Sequence, residues 1–184
     1  MTKTTATPPT LKVDMLALRE EWRHMPEFSC FWSSPDNPQG LRLTPTINPG
    51  HVYVDMVIAR HLTGFPGIAH GGIAYTILDG LMSWYLMAHL GRGAVTREAT
   101  VKYLRPLVEG RSYRFQVREP DGGLRWAPDE PVHISGNVVE TAAADDPQAR
   151  VHLLIEGEFI LPSRRLAERL MGADVIAKGP DLFP

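Results

Sequence analysis

One acidic residue in this sequence stands where ordinary composition would not put it. Between Arg60 and Arg92 the only residue charged at neutral pH is Asp79, the histidines being taken as neutral. Taking an unpaired carboxylate out of water costs several kcal/mol unless it is protonated, paired or hydrogen bonded. Asp79 is therefore either the strongest candidate for a chemical role, or a residue on an exposed or interface stripe with Thr76 and Ser83, satisfied by a neighbouring amide. Just ahead of it stands His70-Gly71-Gly72. If a helix begins there, its first backbone N–H groups lack intrahelical acceptors and carry the positive end of the dipole. Two glycines would let a substrate oxygen approach those N–H groups as an oxyanion hole; the same tripeptide also serves as a plain entry turn, with His70 capping or packing. His70 suits fixing the turn better than moving protons. Thr96 has the hydroxyl to orient a water against Asp79, and equally the β-branched shape of an ordinary strand residue.

These residues need an element to carry them. Ile73 to Leu90 contains no proline and one glycine, Gly80, and reads as a single helix apolar nearly all round, which places it in a core. Gly72 and Asp79 are seven residues apart in sequence, about 10 Å at the helical rise. One helix cannot set both against the same carbonyl. If both act on one substrate, each comes from a different subunit, with the helices antiparallel across a two-fold axis.

Around that helix, Leu11, Met15, Leu18 and Trp22 share a helical face with Thr10 as its cap. Leu41 to Ile47 and Val52 to Ile58 read as a hairpin turning at Asn48-Pro49-Gly50. Val95 to Leu104, Tyr113 to Arg118, Val132 to Glu140 and Val151 to Ile160 read as strands of an antiparallel meander. In the first of these, regular alternation puts Thr96 with Glu98, Thr100 and Lys102, opposite Val95, Ala99, Val101 and Tyr103. Ser163 caps a last helix running to Leu170. The layout is α+β: an antiparallel sheet wrapped around one long central helix, with short flanking helices at both termini, the architecture called the hotdog fold. We expect a disordered tail over residues 1–9, one domain over 10–171 and a C-terminal tail over 172–184.

Composition narrows the partners. A chain of 184 residues with 43% hydrophobic and 22% charged residues is a single globular domain, neither disordered nor fibrous. Its formal charge of -2 argues against nucleic acid as a partner. The central helix approaches the length of a membrane span, but Asp79 in its middle and the lack of flanking basic anchors argue against one. The single Cys30 excludes an internal disulfide, and Met1 to Thr10 lacks a signal-peptide core, which leads us to expect a cytoplasmic protein. The seven histidines show no metal-ligand spacing, and no phosphate loop or nucleophile elbow is present, so neither metal nor separate cofactor is expected.

His70-Gly71-Gly72-Ile73-Ala74-Tyr75-Thr76-Ile77-Leu78-Asp79, then Val95-Thr96 and Thr100-Val101-Lys102-Tyr103-Leu104-Arg105-Pro106, resembles the hotdog-fold thioesterases, in particular the phenylacetyl-CoA thioesterase-like group. The resemblance spans about Gly40 to Leu161. It implies hydrolysis of an acyl-CoA or related thioester to acid and thiol, coenzyme A being part of the substrate. It implies Asp79 as general base or nucleophile, a backbone N–H from Gly71 or Gly72 on the thioester carbonyl, and Thr96 positioning water. It also implies a homodimer or homotetramer with sites at the dimer interface. Many members carry an Asn or Gln before the His-Gly-Gly turn, and Thr63 to Ala69 contains neither. That departure, with the unusual loop before Leu41, sets a non-catalytic acyl-CoA or acyl-ligand binding protein beside the hydrolase.

Overall fold

The computed structural model describes residues 10–25, 28–127, 130–178 and 181–184; the tail expected over residues 1–9 lies outside them. The first helix, α1 (Met15–Arg23), starts later than Leu11 and Thr10 suggest, because Asp14 caps it. Its Oδ1 accepts from the N–H groups of Leu16 and Ala17 at 3.0 and 3.1 Å. Upstream, Lys12 and Val13 donate instead to the Ala88 carbonyl of the central helix.

The hairpin forms as β1 (Thr46–Asn48) and β2 (His51–Val57). The strand expected from Leu41 begins only at Thr46 because Leu41 and Leu43 send their N–H groups to the carbonyls of Phe31 and Trp32. The segment after Gly40 is thereby tied to the loop before it. After β2, a small separate ribbon, β3 (Thr63–Phe65) with β4 (Ile68–Ala69), leads into α2 (Gly71–Leu90). His70 is the N-cap of α2, and Gly91 closes it in the left-handed conformation at φ 67°, where a side chain would be strained. Ile77, Leu78, Leu81, Met82, Tyr85 and Leu86 are fully buried. Among the described residues no helix is long and apolar enough to cross a membrane.

The sheet has six strands in the order β1-β2-β6-β7-β8-β5, all antiparallel. β5 (Val95–Tyr103), β6 (Ser112–Arg118), β7 (Val132–Glu140) and β8 (Leu153–Ile160) fall close to their expected limits. They do not form one continuous meander. With its 20 residues, α2 spans about 30 Å and delivers the chain to the far edge of the sheet, so β5 pairs with β8. β6 then returns beside β2, and only β6, β7 and β8 follow in sequence order.

At the C-terminus α3 (Arg164–Met171) is capped by Ser163, as expected. The stretch expected as a tail contains a further helix, α4 (Ala173–Lys178), and its end packs down, with Leu182 buried and Phe183 against the core. Polar and glycine-rich spacing hid this anchoring, which rests on single apolar residues rather than on a periodic stripe.

Gly80 has a steric role. The indole of Trp32 lies against it and donates from Nε1 to the Ile77 carbonyl at 3.1 Å, so that a Cβ at position 80 would stand 2.2 Å from that nitrogen. Gly80→Ala should lower stability by about 1–3 kcal/mol, as overpacking does. Thermal melts of the two proteins check this, and an unchanged midpoint would contradict the packing described.

Candidate functional site

Asp79 is half-buried on the side of α2 that faces the start of β5. The Thr96 hydroxyl donates to its Oδ1 at 2.7 Å. Thr96 gets there through a bulge. Strand pairing shifts register between Thr96 and Glu98, leaving Arg97 as the extra residue. Ala99 and Val101 pack toward the core, and the bulge turns Thr96 to that same helix side. This corrects the regular alternation that grouped Thr96 with Glu98, Thr100 and Lys102.

Burial pushes the Asp79 carboxyl above the ordinary carboxylate range, and the Thr96 hydroxyl, which favours the ionised form, pulls it partly back. Tyr75 lies near enough that the Asp79 charge adds to the burial that raises the phenol. Phe31, Trp32, Thr76, Ser83 and Trp84 line an open groove of about 320 Å³ with Asp79. The aromatic side of this groove comes from the loop before Leu41, whose Pro, Ser and Asn content gave no sign of it.

At the start of α2, the Gly72 N–H donates to His70 Nδ1 at 3.0 Å, which leaves the ring proton on Nε2. Gly72 is therefore already engaged. No described residue accepts from the Gly71 N–H, which makes Gly71 the free donor of the pair. Tyr103 donates to the Gly71 carbonyl at 3.1 Å, and Thr76 to the Gly72 carbonyl at 2.8 Å. Phe65, Ile68, Tyr103 and Leu104 leave an exposed apolar surface near this helix start. Tyr103 stood in the sequence as a strand residue; only the fold brings it to the helix.

The structure thus brings Asp79 to Thr96, and His70 to Gly71 and Gly72, but keeps the two groups apart within one chain. Eight residues separate Gly71 from Asp79, about 12 Å of helix. Among the described residues no three His, Cys, Asp or Glu side chains cluster as a metal site would require.

Residues 66–118, which contain all five of these positions, match the family model of the thioesterase superfamily. No curated protein sequence matches the chain. Among solved structures, the chain is similar to smu.793 from Streptococcus mutans UA159 bound to acetyl-CoA. That match has a TM-score of 0.55 and 16% identity, over 75% of this chain and 95% of that one. It is also similar to a hypothetical thioesterase with coenzyme A from Streptococcus pneumoniae TIGR4, at TM-score 0.52 and 16% identity over 63% and 84% of the two chains. A third is an acyl-CoA hydrolase from Staphylococcus aureus in complex with butyryl-coenzyme A and coenzyme A, at TM-score 0.50 and 16% identity over 61% and 63%. The chain has the hotdog fold, and its segment from 66 to 118 matches the model of the thioesterase superfamily.

Proposed function

We propose that this protein hydrolyses acyl-CoA or a related acyl thioester, with each reaction centre shared by two copies of the chain. The observation that carries this reading is the half-buried Asp79, held by Thr96, on the same helix whose first N–H group is free. The match of residues 66–118 to the thioesterase superfamily supports the reaction class, and the coenzyme A ligands of the neighbouring structures suggest the thiol.

Asp79 of one copy takes a proton from water as the oxygen adds to the thioester carbonyl, or attacks that carbon itself. Thr96 fixes the orientation of the carboxylate and of the attacking water. The oxyanion formed is stabilised by the Gly71 N–H of the other copy, at the positive end of its helix. His70 holds the turn by keeping Gly72 engaged. In the first route collapse of the tetrahedral species breaks the C–S bond, the thiolate takes up the proton held by Asp79, and the acid leaves. In the second, loss of the thiolate leaves an acyl–Asp79 anhydride, which water cleaves to release the acid, restore the carboxylate and supply the thiol proton. The open edge of β5 and the apolar surface of Phe65, Ile68, Tyr103 and Leu104 offer a second copy somewhere to dock.

The test is thiol release from a panel of acyl-CoAs. The native protein should release thiol from at least one member. Binding of coenzyme A esters without release from any would favour the acyl-binding alternative.

Thr96→Val probes the electrostatics. Its hydroxyl lowers the Asp79 pKa, so its removal raises it further, and less carboxylate is ionised at a given pH. The acid limb of the kcat/KM profile should move to higher pH in Thr96→Val. A shift to lower pH, or none, would sink the role assigned to this bond.

A further inference from the structure

Beside the Asp79 groove lies a second cavity, of about 250 Å³, between the end of α2, the start of β5 and the C-terminal helices. Trp22, Met87, Ala94, Met171, Val175 and Phe183 line it, and among the described residues no charged, hydroxyl or amide side chain is in its walls. It shares Trp22, Phe28 and Met87 with the groove that holds Asp79. We propose that this cavity receives the acyl chain of the substrate and selects a medium-length apolar acyl group over short ones. The proposal rests on the reading of Asp79 as the hydrolytic group.

Three observations carry it. The cavity adjoins the groove through common walls, and the wall on the helix is Met87, a flexible side chain that can yield to an entering chain. The lining suits only the apolar part of a thioester, since the phosphates and amides of coenzyme A would find no partner there. The size is also right: a dry cavity of about 150 Å³ accommodates benzene, and this one is larger. The reach then sets the chain length. Met87 lies eight residues beyond Asp79 on α2, about 12 Å along the axis. At about 1.2 Å of extended chain per bond, a chain of about ten carbons covers that distance, whereas a butyryl group stops well short of Met87.

Most of these walls lie outside residues 66–118. Trp22 belongs to α1, Met171 to α3, Val175 to α4 and Phe183 to the C-terminal end. The assignment therefore concerns what this chain adds to the superfamily segment.

The experiment compares kcat/KM for butyryl-, decanoyl- and dodecanoyl-CoA in the native protein, Val175→Trp and Val175→Ala, with circular dichroism to confirm folding. Val175→Trp fills the cavity and should lower the decanoyl-to-butyryl ratio at least tenfold. Val175→Ala enlarges it and should raise the dodecanoyl-to-decanoyl ratio, which keeps the test decisive if the tryptophan variant does not fold. Native hydrolysis with both ratios unmoved would overturn the cavity assignment and leave the hydrolase intact. If no thioester is cleaved, the hydrolase reading fails, and displacement of cis-parinaric acid by decanoate judges the cavity. Displacement from the native protein that is weakened in Val175→Trp supports it, and equal displacement or none overturns it.

Discussion

Asp79→Asn should reduce kcat for acyl-CoA hydrolysis by at least a hundredfold while the protein becomes no less stable at neutral pH. The first half follows from the loss of the carboxylate that accepts the proton from water in the proposed reaction, since general base catalysis contributes about 10²–10⁴ in rate. The second half comes from burial. In the folded protein the Asp79 carboxyl sits above the ordinary carboxylate range, so the folded state holds its proton more tightly than the unfolded chain does. Such a group contributes stability that is present below the unfolded pKa and lost as pH rises through the folded value. At neutral pH the ionised carboxylate opposes folding, and a neutral amide of the same shape removes that opposition. Its Oδ1 still accepts from Thr96. Steady-state thiol release and thermal melts at acidic and neutral pH measure the two halves on the same samples. Full activity in Asp79→Asn would end the hydrolytic reading, and a collapsed melting temperature at neutral pH would contradict the electrostatics.

Gly71→Pro should cost about 10²–10³ in kcat, the loss seen on removing one oxyanion donor. Proline deletes the free N–H without deleting a helical hydrogen bond, because the first helical position has no intrahelical acceptor. His70 is already extended, with ψ 128°, as the residue before a proline must be. The added ring meets the side chain of Tyr103, whose nearest atom would lie 3.0 Å from a Cβ at this site. Tyr103 is 58% exposed and can swing away. Gly71→Ala places a Cβ in the same contact but keeps the donor, and so separates crowding from loss of the hydrogen bond. The larger consequence concerns mixtures. Subunits carrying Gly71→Pro alone and Asp79→Asn alone should both be nearly inactive. Randomly reassorted dimers of the two should recover about a quarter of native activity, because half of them contain one intact site out of two. Reassortment with no recovery would show that Gly71 and Asp79 do not meet across subunits.

How much of this was visible in the residues differs from place to place. The central helix and Asp79 were legible because a long uncharged run with one carboxylate is a statement about burial, and burial is what sequence patterns encode best. The choice between Gly71 and Gly72 was not. It depends on which N–H the His70 ring caps, a side-chain orientation that spacing does not specify. Sheet order escaped for a related reason: β5 and β6 are neighbours in sequence, and only the span of α2 across the sheet separates them. The loop carrying Phe31 and Trp32 read as polar connection, because its packing depends on Gly80, whose missing side chain makes room for the indole. The pairing of Thr96 with Asp79 was offered by residue type and by the family resemblance, while regular strand alternation grouped Thr96 with Glu98, Thr100 and Lys102 and gave no reason for the hydroxyl to reach the helix.

The bulge at Arg97 gives that last point a wider meaning. Arg97 itself is exposed and is not among the residues lining the Asp79 groove, yet its presence sets the phase of the strand and thereby the side on which Thr96 emerges. Here the Thr96–Asp79 contact is maintained by a count of residues and not by the identity of the residue counted. Many side chains could occupy position 97, but a strand one residue shorter would keep both Thr96 and Asp79 and still take the hydroxyl away from its carboxylate.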